Sequence, residues 1–288
     1  MHIGIVILNY KTYLDTEKLV KEIVAQKTIH KLYIQVVDNA SPNESAEYLS
    51  KNLSGIENVS FYANNENSGF AKGNNVGLRL LKKHNVDYAL ILNNDVRFDL
   101  SVLDRLISVY DEVKDAGVIA PLQKLPNGEL EVFETLNCKN FLYDLSSFTY
   151  FIRKFRKKWQ YKENTVYKNL QKVDIVPGCF LFIDYNLFEN ASFFDESTFL
   201  FWEEHFLYKK MEQAGKSNYL LLDCSYIHDH SKTINQEYVQ LGQFKLYRDG
   251  LIAFTKKYRS LPFIKCLLIN IMFNYTALRI NIKKLLKL

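Results

Sequence analysis

The first 120 residues alternate short apolar runs with amphipathic stretches, and few folds accept that order. Runs at Ile3–Leu8, Leu32–Val37, Val59–Tyr62, Tyr88–Leu92 and 117–120 read as strands. Between them, 14–27, 43–53, 71–84 and 100–113 carry helical spacing. Strands that are apolar on both faces, each followed by a helix, pair in parallel and are covered from both sides. The expectation is an α/β fold with a mostly parallel, Rossmann-like sheet over residues 1–122. Ligands of such sheets sit outside the carboxyl ends of the strands, so the residues just past each strand are the ones to inspect.

Those residues are polar at four successive places. Asn9 and Tyr10 follow the first strand, and Asp38, Asn39 and Ser41 the second. NENSGFAKGNN (65–75) precedes the third helix, and Asn93, Asn94 and Asp95 follow the fourth strand. Asn, Asp and Gly punctuate ordinary turns, so one such segment says little. Four on one rim form a site-like pattern.

Each segment has its own chemistry. Asp38 can accept from a nucleobase N–H or a ribose hydroxyl. Gly69 and Gly73 flank Lys72, where glycine admits a ligand close to the backbone and a helix N-terminus favours phosphate. The segment is neither G-x-x-x-x-G-K-[ST] nor G-x-G-x-x-G, which counts against NTPases, kinases and Rossmann dehydrogenases. Asp95, just past a buried strand, suits a hard divalent cation completed by substrate phosphate oxygens. The bland reading is a turn followed by Asp99 as a helix cap.

FFDESTFLFWEEHFLYKKM (193–211) places the adjacent carboxylates Glu203 and Glu204 in an aromatic setting that favours a raised pKa and a general base. Acidic residues in a first helical turn also simply complement the helix dipole. His228 and His230 follow a late strand, where either could stand beside Asp95.

Elsewhere, LPNGEL (125–130) reads as a hairpin turn, Val173–Ile183 as a strand bent at Pro177-Gly178, 202–214 as a helix stopped by Gly215, and Tyr219–Leu222 as a strand. The aromatic and basic segment 141–161 reads as a helix or an insertion. Two helices are expected from about 234, broken near Leu261-Pro262. Cys138, Cys179, Cys224 and Cys266 are scattered, which fits reduced thiols and neither a disulfide framework nor a zinc module. The opening MHIGIVILNY has no basic n-region followed by a long apolar run, so no secretory leader is expected. The best membrane candidate, CLLINIMFNYTAL (266–278), is 13 residues between Lys265 and Arg279. That is short of the roughly 20 needed, so no span is expected.

Net charge is +5, and it is unevenly placed. From Lys256 onward there are eight basic residues and no acidic ones, leaving 29 basic against 32 acidic residues in the body. A basic, apolar tail suits an anionic membrane surface; its other destinations are the body of the protein or a second copy in a homodimer. Nucleic acid is disfavoured, because a binding groove would be basic beyond one appendage.

VVDNAS, NSGFAKGNN, LNND, PGCFLFI, FDESTFLFWEEHF and IHDHS together resemble glycosyltransferase family 2, in particular its rhamnosyltransferase-like branch, over about residues 3–258. The resemblance implies a GT-A-type fold: residues 1–122 as a nucleotide-sugar-binding half, 123–233 as an acceptor-binding and catalytic half of the same domain, and 234–288 as a C-terminal helical appendage. It implies inverting transfer from a nucleoside-diphosphate sugar, dTDP-rhamnose or a UDP-hexose, to a saccharide or lipid-linked saccharide in surface polysaccharide synthesis, with Mg²⁺ or Mn²⁺. Glu204 would be the catalytic base. Asn9, Asp38, Asn39, Gly69, Lys72, Asn74 and Asn94 would bind the donor, Trp202 and Glu203 the acceptor, and Asp95 and His228 the metal, with His230 as the weaker alternative. Asn93 stands where the family often has a first acid, Glu204 is one methylene longer than the usual Asp, and Phe206 takes the place of a second Asp. The expected location is cytoplasmic, peripheral on the inner face of the cell membrane. The alternatives are a non-catalytic sugar-binding member of the fold, a nucleotidyl transferase, or a basic-tailed nucleic-acid-binding protein.

Overall fold

A computed structural model describes residues 1–131, 141–148, 166–167, 169–229 and 239–285. The expected alternation forms as β1 (His2–Asn9), α1 (Tyr13–Ala25), β2 (Lys31–Asp38), α2 (Ser45–Asn52), β3 (Val59–Ala63), α3 (Gly69–Leu81), β4 (Tyr88–Asn93), the short β5 (Val96–Arg97), α4 (Ser101–Glu112) and β6 (Ala116–Lys124). Strands β3, β2, β1 and β4 lie side by side in parallel. In register, Asn9 faces Asp38 and Leu8 faces Asn93, so the polar strand ends are level on one rim.

The second half enters the same sheet. After α5 (Phe141–Leu145), β7 (Val166–Tyr167) and β8 (Leu170–Val173) come β9 (Phe180–Asp184), α6 (Tyr185–Asn190), α7 (Glu203–Gln213) and β10 (Ser217–His228). Strand β9 runs antiparallel between β4 and β6, and β10 pairs with β6 in parallel. The expected single strand over Val173–Ile183 is therefore two. Pro177 cannot donate to a ladder, and residues 174–179 leave the sheet at β8, next to its edge strand β7, to re-enter at its centre as β9. Strand β10 is longer than expected because it continues past a register shift between Leu221 and Ser225 and delivers His228 to the rim. Residue 122, the expected boundary between halves, falls inside β6.

Other local expectations hold. Gly128, at φ +84°, turns the 125–130 hairpin, and Gly215, at φ +70°, ends α7. Helix α8 (Val239–Tyr258) and α9 (Pro262–Leu285) divide where Pro262 starts a new helix. The membrane expectation needs correction: Pro262–Ile282 is 21 residues, long and apolar enough to cross a membrane by length and composition. Counting only between Lys265 and Arg279 stopped at two long side chains whose stems extend the apolar stretch. Cys138, His230 and 149–161 lie outside the described residues.

One core packs α1, α2 and α4 on one sheet face, and a second packs α3, α6 and α7 on the other. A third, built from Trp202, Phe206, Leu251, Phe254, Ile269 and Phe273, fastens α8 and α9 to α7. The tail is therefore packed on the body along one side. Helix α3 sits close to the sheet because Gly73 and Gly77 face it; a Cβ at Gly77 would lie 2.6 Å from Val6 Cγ1. Gly77→Val should therefore destabilise the fold by about 1–3 kcal/mol through overpacking, read as a lower Tm in thermal melts.

Candidate active site

The rim after β1, β2 and β4 is a connected hydrogen-bond network. Asn9 Nδ2 donates to Asp38 Oδ1 at 2.6 Å, and Ser41 donates to Asp38 through its backbone N–H at 2.9 Å and its hydroxyl at 2.6 Å. Asp38 is fully buried, and the network leaves a lone pair on Oδ2 for a further donor. Thr16 donates to Asn9 Oδ1 at 2.8 Å. Asn94 Nδ2 reaches the hydroxyls of Thr12 and Thr16 at 2.7 and 2.8 Å, tying the end of β4 to the first turn of α1.

Beside it, Asn39 organises the approach to α3. Its amide donates to Asn67 Oδ1 and Gly69 O, and its carbonyl accepts from Asn64 Nδ2. Gly69 has φ +85°, and a side chain there would collide with the Phe199 carbonyl, which accepts from Phe70 N–H at 2.9 Å. Lys72 is exposed near Glu196, and Asn74 folds onto the Phe70 carbonyl at 3.0 Å with Oδ1 buried and unpaired. Neither joins the Asn9–Asp38 network.

Asp95 and His228, expected together, are in contact: His228 Nε2 lies 3.0 Å from Asp95 Oδ1, and Nδ1 lies 3.0 Å from Gln123 Nε2. Strand β5 pairs Val96 with His228, which fixes this meeting. Burial opposes protonation of His228, but the Asp95 carboxylate and Cys179 Sγ outweigh it and raise the imidazole to about 10. Behind it Cys179 Sγ, Tyr226 and Gln123 form a buried cluster, with Cys179 Sγ 2.9 Å from the Tyr226 hydroxyl. A cleft of about 140 Å³ opens beside Asp95, lined by Thr12, Asn94, Arg97 and Asp229 among others. Among the described residues no cluster of three or more His, Cys, Asp or Glu side chains forms a complete metal cage. Asp95 and His228 pair with each other here; a divalent cation would have to displace the imidazole proton, after which they would offer it one oxygen and one nitrogen, with the remaining ligands from a bound diphosphate.

The carboxylate pair stands across one turn. Residues 177–179 connect the two sides: Cys179 O accepts from Asn93 N–H at 3.0 Å, and Gly178 lies directly against the Glu204 carboxylate. A side chain at Gly178 would occupy the position of Glu204 Oε1. Glu204 is partly buried, and burial raises its pKa, while the N–H groups of Glu204 and Gly178 pull it back. Glu203 is buried with Oε1 unpaired, and burial followed by the charge of Glu204 raises it further, to about 8. Asp195 and Glu196 behave oppositely. Lys257 at 2.5 Å and Ser197 hold Asp195 low against the opposing effect of burial, and Asn75 and Arg79 hold Glu196 low.

Trp202 is a core residue. Its indole packs on His205, Tyr247 and Phe254 with centroids 4.0–5.5 Å apart, and Gly250 makes room for it. Phe201 and Trp202 both adopt left-handed backbone, at φ 72° and 75°, immediately before Glu203. Bulky residues pay strain there, and the aromatic core holds them in place. Residue patterns missed this kink and missed the Gln123, Tyr226 and Cys179 cluster. The available signals were Pro177-Gly178 ahead of an apolar run and Thr12 and Thr16 one turn apart after Asn9.

Residues 4–187 match Glycosyl transferase family 2. Over 261 residues the chain is 24% identical to the low-salt glycan biosynthesis hexosyltransferase Agl10 of Haloferax volcanii, covering 86% of this chain and 72% of that one. Its fold is similar to that of the mannosyltransferase PcManGT from Pyrobaculum calidifontis, solved in complex with GDP-Man and Mn²⁺, with TM-score 0.60, 14% identity, and 94% and 69% of the two chains covered. S. aureus TarS in complex with UDP-GlcNAc matches with TM-score 0.57 at 14% identity, over 95% and 72% of the two chains. These neighbours have the GT-A fold, the same curled, mostly parallel sheet with helices on both faces. With more than half its length matched, the chain belongs to glycosyl transferase family 2 and is a glycosyltransferase.

Proposed function

We propose that the protein is an inverting glycosyltransferase. It moves a sugar from a nucleoside-diphosphate donor, dTDP-rhamnose or a UDP-hexose, to a saccharide or lipid-linked saccharide acceptor in surface polysaccharide synthesis. The observation that carries this reading is the 177–179 turn, which joins the Asp95–His228 pair to the Glu204 carboxylate. Direct displacement with inversion needs one base on the acceptor side and charge stabilisation on the leaving-group side. The turn touches the Glu204 carboxylate on one side and the end of β4, just before Asp95, on the other.

In this reading Asn9, Asp38, Asn39 and Asn94 hold the nucleoside end of the donor, and Gly69, Lys72 and Asn74 border its path along α3. Asp95 and His228 would hold Mg²⁺ or Mn²⁺, which stabilises the negative charge of a departing diphosphate when bound. Glu204 takes the proton of the acceptor hydroxyl as that oxygen bonds to the anomeric carbon. The bond from that carbon to the diphosphate oxygen breaks, and its electrons leave with the nucleoside diphosphate. Burial raises both Glu203 and Glu204, and two adjacent buried acids resist carrying two negative charges at once. The buried Trp202 and Glu203 set the backbone that aims Glu204 at the acceptor. The proposed setting is the cytoplasmic side of a membrane.

Binding of UDP, dTDP and GDP with Mn²⁺, Mg²⁺ or EDTA, followed by thermal shift, tests the donor site. A nucleotide at 100 times its Kd stabilises by about 2.7 kcal/mol, a shift of a few degrees at this size. One nucleotide should give that shift with metal and lose it in Asp95→Ala; no shift with any nucleotide would remove the donor-site reading. Glu204→Gln should abolish transfer while nucleotide binding persists, and Gly178→Ala should cut transfer strongly with little change in Tm, because it displaces only the carboxylate end. Near-normal turnover in Glu204→Gln would take the base role from this residue.

The raised pKa of Glu203 also has a stability consequence. The folded state holds this proton more tightly than the unfolded chain, so wild-type stability falls as pH rises from about 4.5 towards about 8. Glu203→Gln should melt close to wild type at the acid end of that window and several degrees higher above it. An unchanged difference across the range would contradict the burial of an acid there.

A further inference from the structure

The outer face of α9 is the largest surface feature that transfer chemistry leaves unused. Leu267, Leu268, Ile271, Tyr275, Leu278 and Ile282 are 41–59% exposed. They recur at three- and four-residue intervals, so they form one stripe along the helix. Phe263 and Ile264 extend it at the N-terminal end, with Phe263 82% exposed. The opposite stripe is occupied: Ile269 and Phe273 are buried, Phe273 lies under Arg248 of α8 and edge-on to Phe148, and Thr276 bonds to the Phe148 carbonyl. The helix is thus apolar on both faces, and only one of them meets protein among the described residues. Soluble surfaces rarely leave a continuous apolar face of this kind to water.

Charge indicates what covers it. After Asp249 the sequence has no acidic residue, while Lys256 precedes the helix, Lys265, Arg279, Lys283 and Lys284 belong to it and Lys287 follows it in sequence. Arg279 lies over the Tyr275 ring with its guanidinium 5.9 Å from the ring centroid, an arrangement that lets an apolar stem sit beside a charged head. We propose that this stripe docks the enzyme on an anionic lipid surface, with α9 lying in the plane of the interface. Two features select this occupant. A second copy meeting the stripe face to face would bring like charges together with no acid on either side to pair them. A helix surrounded by lipid would have to give up the Ile269 and Phe273 contacts that hold it to the third core.

The placement deepens the proposed transfer and rests on it in one respect. Helix α9 packs on α8, and α8 packs on α7, whose first residues are Glu203 and Glu204. Helices α9 and α8 therefore lie between the docked face and the carboxylates, which suits an acceptor whose saccharide projects from a lipid anchor. Docking itself does not depend on what the carboxylates do.

The test is flotation of the full chain with vesicles of phosphatidylcholine alone and with added phosphatidylglycerol, at low and high salt. Wild type should float with the anionic vesicles and release as salt screens the lysines. Ile271→Glu and Leu278→Glu should each weaken binding on the order of tenfold or more, since each replaces buried methylenes with a charge facing anionic headgroups. Both variants should keep the wild-type nucleotide thermal shift. Equal flotation of variants and wild type, or no flotation of wild type, overturns the proposal. A dimer that Ile271→Glu disperses, without flotation, would assign the face to a second copy. Resistance to alkaline extraction would assign a span. Flotation with no nucleotide shift would sink the transferase reading and leave the docking face standing.

Discussion

Strand β9 enters the sheet antiparallel between β4 and β6, and the site is arranged around that insertion. A parallel neighbour would begin at the far rim; an antiparallel one begins where its neighbours end. The turn that feeds β9, residues 177–179, is therefore delivered to the same rim as Asn93, Asn94 and Asp95. The Cys179 carbonyl accepts from Asn93 N–H at 3.0 Å, so the backbone itself locks the two segments. Gly178 can sit against Glu204 because it has no side chain, and Cys179 carries the contact on to Tyr226 and Gln123 behind His228.

The acids stand in two different environments. On the polar rim, Asp38 accepts from Asn9 and Ser41, and Asp95 has an imidazole at 3.0 Å. On the other side, Glu203 and Glu204 have few donors and an aromatic setting, so burial raises both. A pair of acids kept close in a poorly solvated place shares charge unequally. The left-handed backbone at Phe201 and Trp202 maintains that arrangement, and the third core, fastened by α8, holds the kink. The C-terminal helices thus support the start of α7 as well as presenting a surface of their own.

Much of the polar rim was legible in the residues. Apolar strands with polar ends mark Asn9, Asp38 and Asn94 because period and burial are local properties of a strand, and parallel register then levels those ends. Asp95 and His228 were legible as types of residue. Their meeting at 3.0 Å depends on β5 pairing with β10 from far along the chain, Arg97 with Ile227 and Val96 with His228. The split of Val173–Ile183 was not legible, since an apolar run broken by Pro-Gly reads the same whether its two parts share a strand position or occupy distant ones. Trp202 read as a ligand platform because an exposed and a buried indole look alike in sequence; the open space at Gly250, far along the chain, decides it.

The α/β class, the polar rim, the helix breaks at Gly215 and Pro262, and the one-signed charge of the tail are readable from residue order alone. Each of these follows from periodicity, turn chemistry or composition acting over a few residues. The tertiary structure decided the position of β9, the joining of Glu204 to Asp95 and His228 through one turn, and the packing of one face of α9. Those depend on which distant strands pair and which surfaces approach within van der Waals contact. Such choices are settled by the packing of the whole core, and no short window of residues encodes them.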